Sequence, residues 1–309
     1  MKELPEVRDV RVRGSMTVSE LIKAFEDIHG FTAADVARAV EILREGLKVS
    51  DLRFLSFTGN LISTGLRGVF AQLIESGLFD IVITTCGSLD HDIARASGGK
   101  YLKGFFEADD AELKEEGMHR LGNIFIPFES YGLTVERFVQ RLVKEASAKK
   151  KVWGVRELLE LAGSMLKEDP NSILGAAYRK GVKVYVPGYV DGAFGTDLFI
   201  HSQFTGLTVD IFRDMKELSD AVFQSKVSAA LVIGGGISKH HTIWWNQFKE
   251  GLDYSVYITT AVEWDGSLSG ARTREAISWG KLKPKGKHVT VYGDATVLLP
   301  IIAAGLITE

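Results

Sequence analysis

The chain has 309 residues, of which 45% are hydrophobic and 25% are charged. These proportions are ordinary for a globular protein, and the length suggests one large domain or two domains of ordinary size. The formal net charge of −3 gives no support for a nucleic-acid-binding protein, because such proteins normally carry a basic excess.

Cysteine usage and hydropathy predict a cytoplasmic protein that does not associate with membranes. Cys86 is the only cysteine, so no disulfide can form within the chain, which is typical of a reducing compartment. The N-terminal residues are charged and lack the apolar core of a signal peptide. The longest apolar run, residues 296–307, is interrupted by Pro300 and is too short to span a bilayer.

Residues 1–47 are predicted to form an N-terminal arm followed by two helices. Residues 1–14 alternate charged residues with valine and contain Pro5, which indicates an extended arm. Thr17 and Thr32 can each cap a helix, and apolar residues recur at helical spacing after both. We expect the apolar faces of these two helices to cover the domain that follows.

Short runs rich in β-branched residues alternate with helical segments from residue 48 onward. The runs are residues 52–57, 79–84, 182–186, 228–233, 255–258 and 288–292. This alternation, with nearly continuous apolar character, predicts an α/β fold with a Rossmann-like parallel sheet and helices on both faces. We therefore expect residues 48–309 to form a single large domain that carries the N-terminal helical extension.

Ligands of open α/β sheets bind at the carboxyl ends of the strands, and glycine follows most of these runs. The clearest case is the turn of residues 234–236, which has three successive glycines. Glycine lets the backbone approach a phosphate at the next helix N-terminus, but a tight turn needs glycine without any ligand as well. Neither a GxGxxG fingerprint after the first strand nor a P-loop is present, so a bound nucleotide would be held in another way.

Acidic residues also gather after the predicted strands. Asp191 follows the run of residues 182–186, Glu263 and Asp265 follow that of 255–258, and Asp294 follows that of 288–292. Carboxylates at one rim could bind ribose hydroxyls, a metal or a polycation. The alternative is helix capping, which fits Asp294 and also Asp90.

The histidines and the cysteine do not predict a metal site. His240 and His241 are adjacent, so on a helix their side chains point about 100° apart. His91 and His201 stand alone in the sequence. Cys86 has no cysteine or histidine partner in sequence and is expected to be a small buried residue.

Tryptophan is concentrated near one lysine, Lys281. Trp244, Trp245, Trp264 and Trp279 all lie upstream of it within a short stretch. They could belong to the core or to a subunit interface, or they could form an aromatic wall that attracts alkylammonium groups. An amine removed from water beside such a wall is a candidate nucleophile, whereas an arbitrary lysine is usually a solvated surface charge.

Several motifs together resemble the deoxyhypusine synthase family, and in particular its archaeal members. They are GNLISTG (59–65), VDGAFG (190–195), GGGISKHH (234–241), TTAVEWDG (259–266), SGAR (269–272), EAISWGK (275–281) and YGDA (292–295). The resemblance covers about residues 8 to 300. It implies NAD-dependent transfer of the aminobutyl group of spermidine to one lysine of the initiation factor 5A precursor.

The resemblance also implies roles for individual residues. Lys281 would carry the aminobutyl group as an imine, and His240 would accept a proton near the oxidised amine. Polyamine contacts would come from His240, Glu275 and Trp279. NAD contacts would come from Asn60, Ser63, Thr85, Gly87, Asp191, Gly235, Gly236, Thr260, Ala261, Asp265, Asp294 and Ala295.

Four positions depart from the family pattern where polyamine anchors are expected. They are His91, Thr196, Trp244 and Leu268. Asp90, Asp92 and Asp197 are neighbouring carboxylates that could substitute for the altered anchors. These departures leave the exact amine donor open.

The family forms homotetramers with active sites at dimer interfaces, so the resemblance implies that assembly here. Two other functions remain open at the level of the sequence. One is aminobutyl transfer to a free diamine, as in a homospermidine synthase. The other is a non-catalytic nucleotide-binding or assembly protein, against which Lys281, His240 and Glu275 argue.

Overall fold

The computed structural model describes residues 4–307, so residues 1–3 of the predicted arm and the last two residues of the predicted domain lie outside the described part. It shows the expected mixed α/β fold with a six-stranded parallel sheet flanked by helices. The strands are β1 (Leu52–Phe57), β2 (Ile81–Ile83), β3 (Leu102–Lys103), β4 (Met118–Leu121), β5 (Ile124–Pro127), β6 (Val152–Trp153), β7 (Lys183–Tyr185), β8 (Thr208–Val209), β9 (Ser228–Ile233), β10 (Leu252–Thr259) and β11 (Leu282–Tyr292).

Helices fill the sequence between these strands. The α-helices are α1 (Val18–Ile28), α2 (Ala33–Val49), α3 (Leu66–Glu75), α4 (Cys86–Ala96), α5 (Asp110–Glu115), α6 (Gly132–Lys149), α7 (Val155–Leu166), α8 (Ile173–Lys180), α9 (Ala193–Thr205), α10 (Ile211–Gln224), α11 (Gly236–Asn246), α12 (Glu275–Ser278) and α13 (Ala295–Leu306). Short 3₁₀ turns occupy Gly59–Ser63, Phe128–Ser130, Gln247–Lys249 and Glu263–Asp265. Among the helices of residues 4–307, none combines the length and apolar character needed to cross a bilayer.

The main sheet has the strand order β11-β10-β9-β1-β2-β7. Every one of its six strands coincides with a run predicted from the sequence, although β2 and β7 are shorter and β10 and β11 are longer than predicted. Two smaller sheets are present as well, with the orders β3-β5-β4 and β6-β8. Three of these five strands, β3, β6 and β8, have only two residues, which is too short for a periodicity to be recognised in the sequence.

The chain divides into two compact units. The first comprises Met1–Phe54 and Ser225–Glu309, and the second comprises Leu55–Gln224. The predicted division at residue 47 into an N-terminal extension and a single catalytic domain stays a prediction.

In the first unit, α1 and α2 pack on each other, and α2 also packs on β10, β11 and α13. Thr17 begins α1 with a capping box, in which its hydroxyl accepts from the Glu20 amide at 3.2 Å. Gly46 of α2 lies against the Tyr254 ring, where a Cβ atom would come within 2.6 Å of the ring. α2 therefore covers the sheet directly, and α1 packs on α2 and α13 outside it.

In the second unit, a buried ion pair ties three segments together. The Arg67 guanidinium lies 2.7 Å from an Asp92 carboxylate oxygen and 2.5 Å from one of Asp169. The Asp92 carboxylate also accepts hydrogen bonds from the amides of Ile173 and Leu174 at the start of α8. This network fixes α3, α4 and α8 beside the strands of the unit.

Candidate active site

Lys281 is held by the backbone on both sides, in the first unit. Its amide donates to the Ala276 carbonyl at 2.9 Å, and its carbonyl accepts from the Leu252 amide at 3.1 Å. Gly280 precedes it with a φ of 66°, a conformation that favours glycine. The α12 turn therefore ends in a defined geometry that delivers the Lys281 side chain immediately before β11.

The Lys281 side chain is buried against aromatic rings. The residue is 7% exposed, so it is not a solvated surface charge. Its ammonium nitrogen lies 5.2 Å from the Trp279 ring centroid and 5.8 Å from that of Trp244. Two of the four clustered tryptophans thus form the predicted aromatic wall, at distances that suit cation–π attraction. Trp264, by contrast, is 85% exposed.

A cavity of about 160 Å³ opens beside Lys281. Its lining includes Lys239, Tyr257, Leu268, Glu275, Trp279 and Lys281. The structure therefore brings Lys281 together with two of the predicted polyamine contacts, the Glu275 carboxylate and the Trp279 indole. This combination of an acid, an aromatic ring and an amine suits a small cationic ligand.

His240 lies on α11 close to the same group. Its ring stacks on Trp244 with a centroid separation of 5.5 Å. Partial burial, followed by the positive charge of Lys281, lowers the pKa of His240 below its ordinary value. A neutral imidazole can accept a proton, as the resemblance implies for this residue.

Lys239 is a residue of this cavity that the sequence analysis missed. It is 1% exposed, and its ammonium donates to the carbonyls of Leu268 and Ala271, each at 2.7 Å. Burial lowers the pKa of Lys239 to about 8, and the Glu275 charge opposes that shift. The only sequence signal was its position beside His240 in GGGISKHH.

Glycines at the end of β9 allow a close approach of the SGAR segment. A Cβ atom on Gly235 would lie 2.0 Å from the Ser269 hydroxyl, and one on Gly270 would lie 2.0 Å from the Val262 carbonyl. The first helical residue after this turn is Gly236, and no side chain caps the N-terminus of α11. The glycine turn and the SGAR segment, far apart in sequence, are therefore neighbours.

The other predicted cofactor residues of the first unit lie at strand ends. Thr260 and Ala261 directly follow β10, and the Asp265 carboxylate is exposed and accepts from the Ser267 amide at 2.7 Å. The Asp294 carboxylate accepts from the amide of Thr296 at 2.9 Å, next to Ala295 at the start of α13. Asp294 is thus a helix cap, as the capping interpretation proposed.

The predicted cofactor residues of the second unit gather around the start of α4. A Cβ atom on Gly59 would lie 2.7 Å from the Gly87 carbonyl carbon, so the turn containing Asn60 and Ser63 packs on the start of α4. Thr85 precedes α4 without a capping hydrogen bond from its side chain. The helix begins at Cys86, directly after Thr85.

Asp191 is exposed in the turn that precedes α9. Gly192, the next residue, lies so close to Asp90 that a Cβ atom would be 2.6 Å from a carboxylate oxygen. The Asp90 carboxylate accepts from the Phe194 amide at 2.8 Å and from the Tyr131 hydroxyl at 3.0 Å. Asp90 therefore holds the N-terminus of α9, and Asp92 holds that of α8, so neither suits the role of a substitute polyamine anchor.

Asp197 differs from these two carboxylates because it has no helix to cap. Burial raises the pKa of Asp197 to about 6, with the Glu136 charge as a second cause. At Thr196, the preceding residue, the side chain is exposed. Asp197 thus stays open as a substitute acid.

His91 and Cys86 are buried in the second unit. The His91 ring nitrogen Nδ1 lies 2.7 Å from the Tyr101 hydroxyl, and burial followed by the Arg95 charge lowers the pKa of His91 to about 4. Cys86 is the small buried residue that was predicted, and burial followed by the Asp90 charge raises the pKa of its thiol to about 12. Within residues 4–307, no group of three histidine, cysteine or carboxylate side chains could hold a metal ion.

Comparison with known proteins gives concordant results. A family model described as deoxyhypusine synthase matches residues 20–306. Relatives from Aeropyrum pernix and Ignicoccus hospitalis, both named as probable deoxyhypusine synthases, are 61% and 60% identical, cover 97% and 98% of this chain, and are themselves covered over 97% and 96%. A crystal structure of a candidate deoxyhypusine synthase from Entamoeba histolytica matches with a TM-score of 0.67 at 19% identity, over 94% of this chain and 93% of that one, which shows the shared fold. The chain therefore belongs to the deoxyhypusine synthase family.

Proposed function

We propose that this transferase moves the aminobutyl group of spermidine to one lysine of the initiation factor 5A precursor, with NAD as cofactor and Lys281 as the imine carrier. The observation that carries the proposal is the buried Lys281 amine, which lies beside two indole rings and lines one cavity with Glu275. Membership of the deoxyhypusine synthase family supports the aminobutyl transfer in general.

Lys281 suits a double handover of the aminobutyl group. An amine nucleophile captures the four-carbon unit as an imine and releases 1,3-diaminopropane, and the acceptor lysine then displaces Lys281 by a second transimination. The rings of Trp244 and Trp279 stabilise an alkylammonium group next to this amine. The Glu275 carboxylate in the same cavity adds a direct charge partner for the substrate.

His240 is proposed to accept the proton that the donor amine loses when it is oxidised. Its pKa is lowered by burial and by Lys281, so the imidazole is neutral near pH 7 and available as a base. Its stacking on Trp244 fixes the plane of the ring beside the aromatic wall.

The chain offers features that fit NAD, which supplies a hydride acceptor and donor when it is bound. The N-termini of α4 and α11 carry no side-chain cap, so their amides can receive phosphate oxygens. In the first unit, the proposed NAD residues are Gly235, Gly236, Thr260, Ala261, Asp265, Asp294 and Ala295. In the second unit, they are Asn60, Ser63, Thr85, Gly87 and Asp191.

We also propose a cytoplasmic homotetramer with active sites at dimer interfaces. The second unit supports self-association because α9 and α10 expose large apolar side chains, among them Phe199, Phe204 and Phe212. Large apolar side chains that are exposed together on neighbouring segments of the chain favour a contact with another protein. The exposed Trp264 and Trp279 give the first unit a similar character.

Borohydride trapping tests the proposed reaction. The protein is incubated with NAD and radiolabelled spermidine, reduced with borohydride and mapped by mass spectrometry. We expect an adduct on Lys281, because reduction converts its imine into a stable secondary amine. An adduct on another residue, or no adduct, would contradict the proposed mechanism.

Two variants and two acceptors complete this experiment. Lys281→Ala should abolish transfer, whereas Lys283→Ala should retain it, because Lys283 pairs with Asp253 at 2.7 Å and does not line the cavity. Transfer to the factor 5A precursor supports the proposed acceptor. Transfer to putrescine instead would favour the homospermidine synthase alternative.

A further inference from the structure

Two lysines line the cavity, and the proposed reaction uses only Lys281. The other, Lys239, is almost completely buried on α11. Burial of an ammonium group is unfavourable unless its donors are satisfied, so the contacts of Lys239 indicate its role.

Two carbonyl oxygens and one aromatic ring surround the Lys239 ammonium group. Two carbonyl oxygens, those of Leu268 and Ala271, accept at 2.7 Å each. The Tyr257 ring centroid lies 4.1 Å from the same nitrogen. An ammonium group has no lone pair and therefore cannot act as a nucleophile. The contacts instead show that Lys239 links α11 to the turn that contains Leu268 and Ala271.

The segment that Lys239 holds forms part of the cavity wall. Leu268, Ala271 and Arg272 all line the cavity with Lys281. The same turn also approaches the chain at Ser269, which lies beside Gly235, and at Gly270, which lies beside Val262. Hydrogen bonds from a charged donor are stronger than such van der Waals contacts, so the Lys239 ammonium group is the main anchor of the turn.

We propose that Lys239 is a positioning residue, whose ammonium group holds the turn of residues 268–271 against α11 and thereby sets the shape of the amine pocket. The inference rests on the proposed function for the identity of the amine. Leu268, one of the positions that depart from the family pattern, is held in the pocket wall by the hydrogen bond from Lys239 to its carbonyl.

Substitution of Lys239 tests this link with two independent readouts. In Lys239→Met, we expect the KM for spermidine to rise at least about tenfold with a smaller change in kcat, because the pocket wall loses its anchor. We also expect tryptic cleavage after Arg272 and Arg274 to become about tenfold faster, measured by mass spectrometry. Unchanged KM and unchanged cleavage would overturn the proposal.

Lys249→Met is the matched control. Lys249 is another largely buried lysine of the first unit, 3.8 Å from Asp253, but it does not line the cavity. We expect its loss to lower thermal stability without changing KM or the cleavage after Arg272. A control that changed both as strongly as Lys239→Met would overturn a specific role for Lys239.

Lys239→Arg keeps the charge and tests the role even where Lys239→Met does not fold. With the pKa of Lys239 at about 8, deprotonation at higher pH removes one donor and loosens the turn. We therefore expect the KM of the wild-type protein to rise above pH 8 more steeply than that of Lys239→Arg, because arginine stays protonated. Identical alkaline profiles would contradict the proposal.

The other groups that face Lys239 are the same in both proteins. They are Glu275, Arg272 and Lys281 of the cavity lining and the Tyr257 ring of β10. A difference between the two pH profiles therefore reports on residue 239. If the wild-type protein forms no trapped adduct, the proposed function fails, but the cleavage rates still decide whether Lys239 holds the turn.

Discussion

Two buried lysines of the candidate site differ in their contacts, although they are the same type of residue. Lys281 and Lys239 have the same side chain and line the same cavity. Lys281 lies near two indole rings, whereas Lys239 donates to two carbonyls. Sequence motifs pointed to Lys281, but the role of Lys239 became visible only through its contacts.

Buried neutral histidines should make the protein sensitive to acid. The pKa of His91 is lowered to about 4 by burial, so between pH 6.5 and 4 the unfolded chain binds a proton that the folded chain does not. Stability therefore falls as the pH falls through this window, by about 3 kcal/mol for His91. Urea unfolding at pH 7 and pH 4.5 measures the loss.

His91→Gln is the variant that isolates this effect. An amide cannot gain a proton in the same window, so the loss of stability between the two pH values should shrink by roughly the His91 contribution. His241, whose pKa is also lowered to about 4 by burial, then accounts for part of the remainder. An unchanged pH dependence in His91→Gln would show that His91 is not the responsible group.

At the scale of elements, the turns after the strands carry the proposed cofactor and amine residues. Two acidic residues that both looked like local helix caps in the sequence have different roles in the structure. Asp294 caps the helix that follows it, whereas Asp90 caps α9, more than 100 residues away in sequence. Sequence patterns predict local caps well, because both partners are close along the chain. Caps supplied from a distant segment depend on the fold.

Gly235→Ala should disrupt the junction of the glycine turn with the SGAR segment. The added Cβ atom would lie 2.0 Å from the Ser269 hydroxyl and 2.5 Å from the Ser269 Cα atom, so the backbone of the segment must move. We expect a loss of about 1 to 3 kcal/mol in stability and a lower rate of transfer. Chemical unfolding and the trapping assay measure the two effects.

Gly65→Ala provides the comparison for this substitution. A Cβ atom on Gly65 meets nothing within 4 Å, and its φ of −65° is open to any residue. This variant should therefore keep wild-type stability within about 0.5 kcal/mol. Equal effects of the two substitutions would argue against the close packing at Ser269 as the cause.

At the scale of the whole molecule, strands β11, β10 and β9 form parallel neighbours in the first unit, and β2 pairs with β7 in the second. The alternation of strands and helices was readable from the sequence, because each element has its own periodicity. The order of the strands was not, since it depends on pairings between residues far apart in the chain. The exposed aromatic residues of the second unit also concern the whole molecule, because they bear on its self-association.

Phe204→Asp should weaken self-association. Phe204 is 83% exposed on α9, and a charge there cannot be buried in an apolar interface without a partner. We expect the variant to elute as a smaller species than the wild-type protein in size-exclusion chromatography with light scattering. Phe204→Leu, which keeps an apolar side chain, should elute as the wild-type protein does, and equal masses for all three would contradict a role of this surface in assembly.

The sequence by itself determined the fold class, the positions of the six main strands, the two N-terminal helices and the motif that ends in Lys281. These features depend on local periodicity, capping and residue identity, which are present in any short window of the chain. Only the tertiary structure decided that Lys281 is buried near Trp244 and Trp279, that Lys239 holds the turn of residues 268–271, and that Asp90 and Asp92 serve distant helices. Those facts depend on contacts between segments far apart in sequence, because burial and hydrogen-bond partners exist only once the chain has folded.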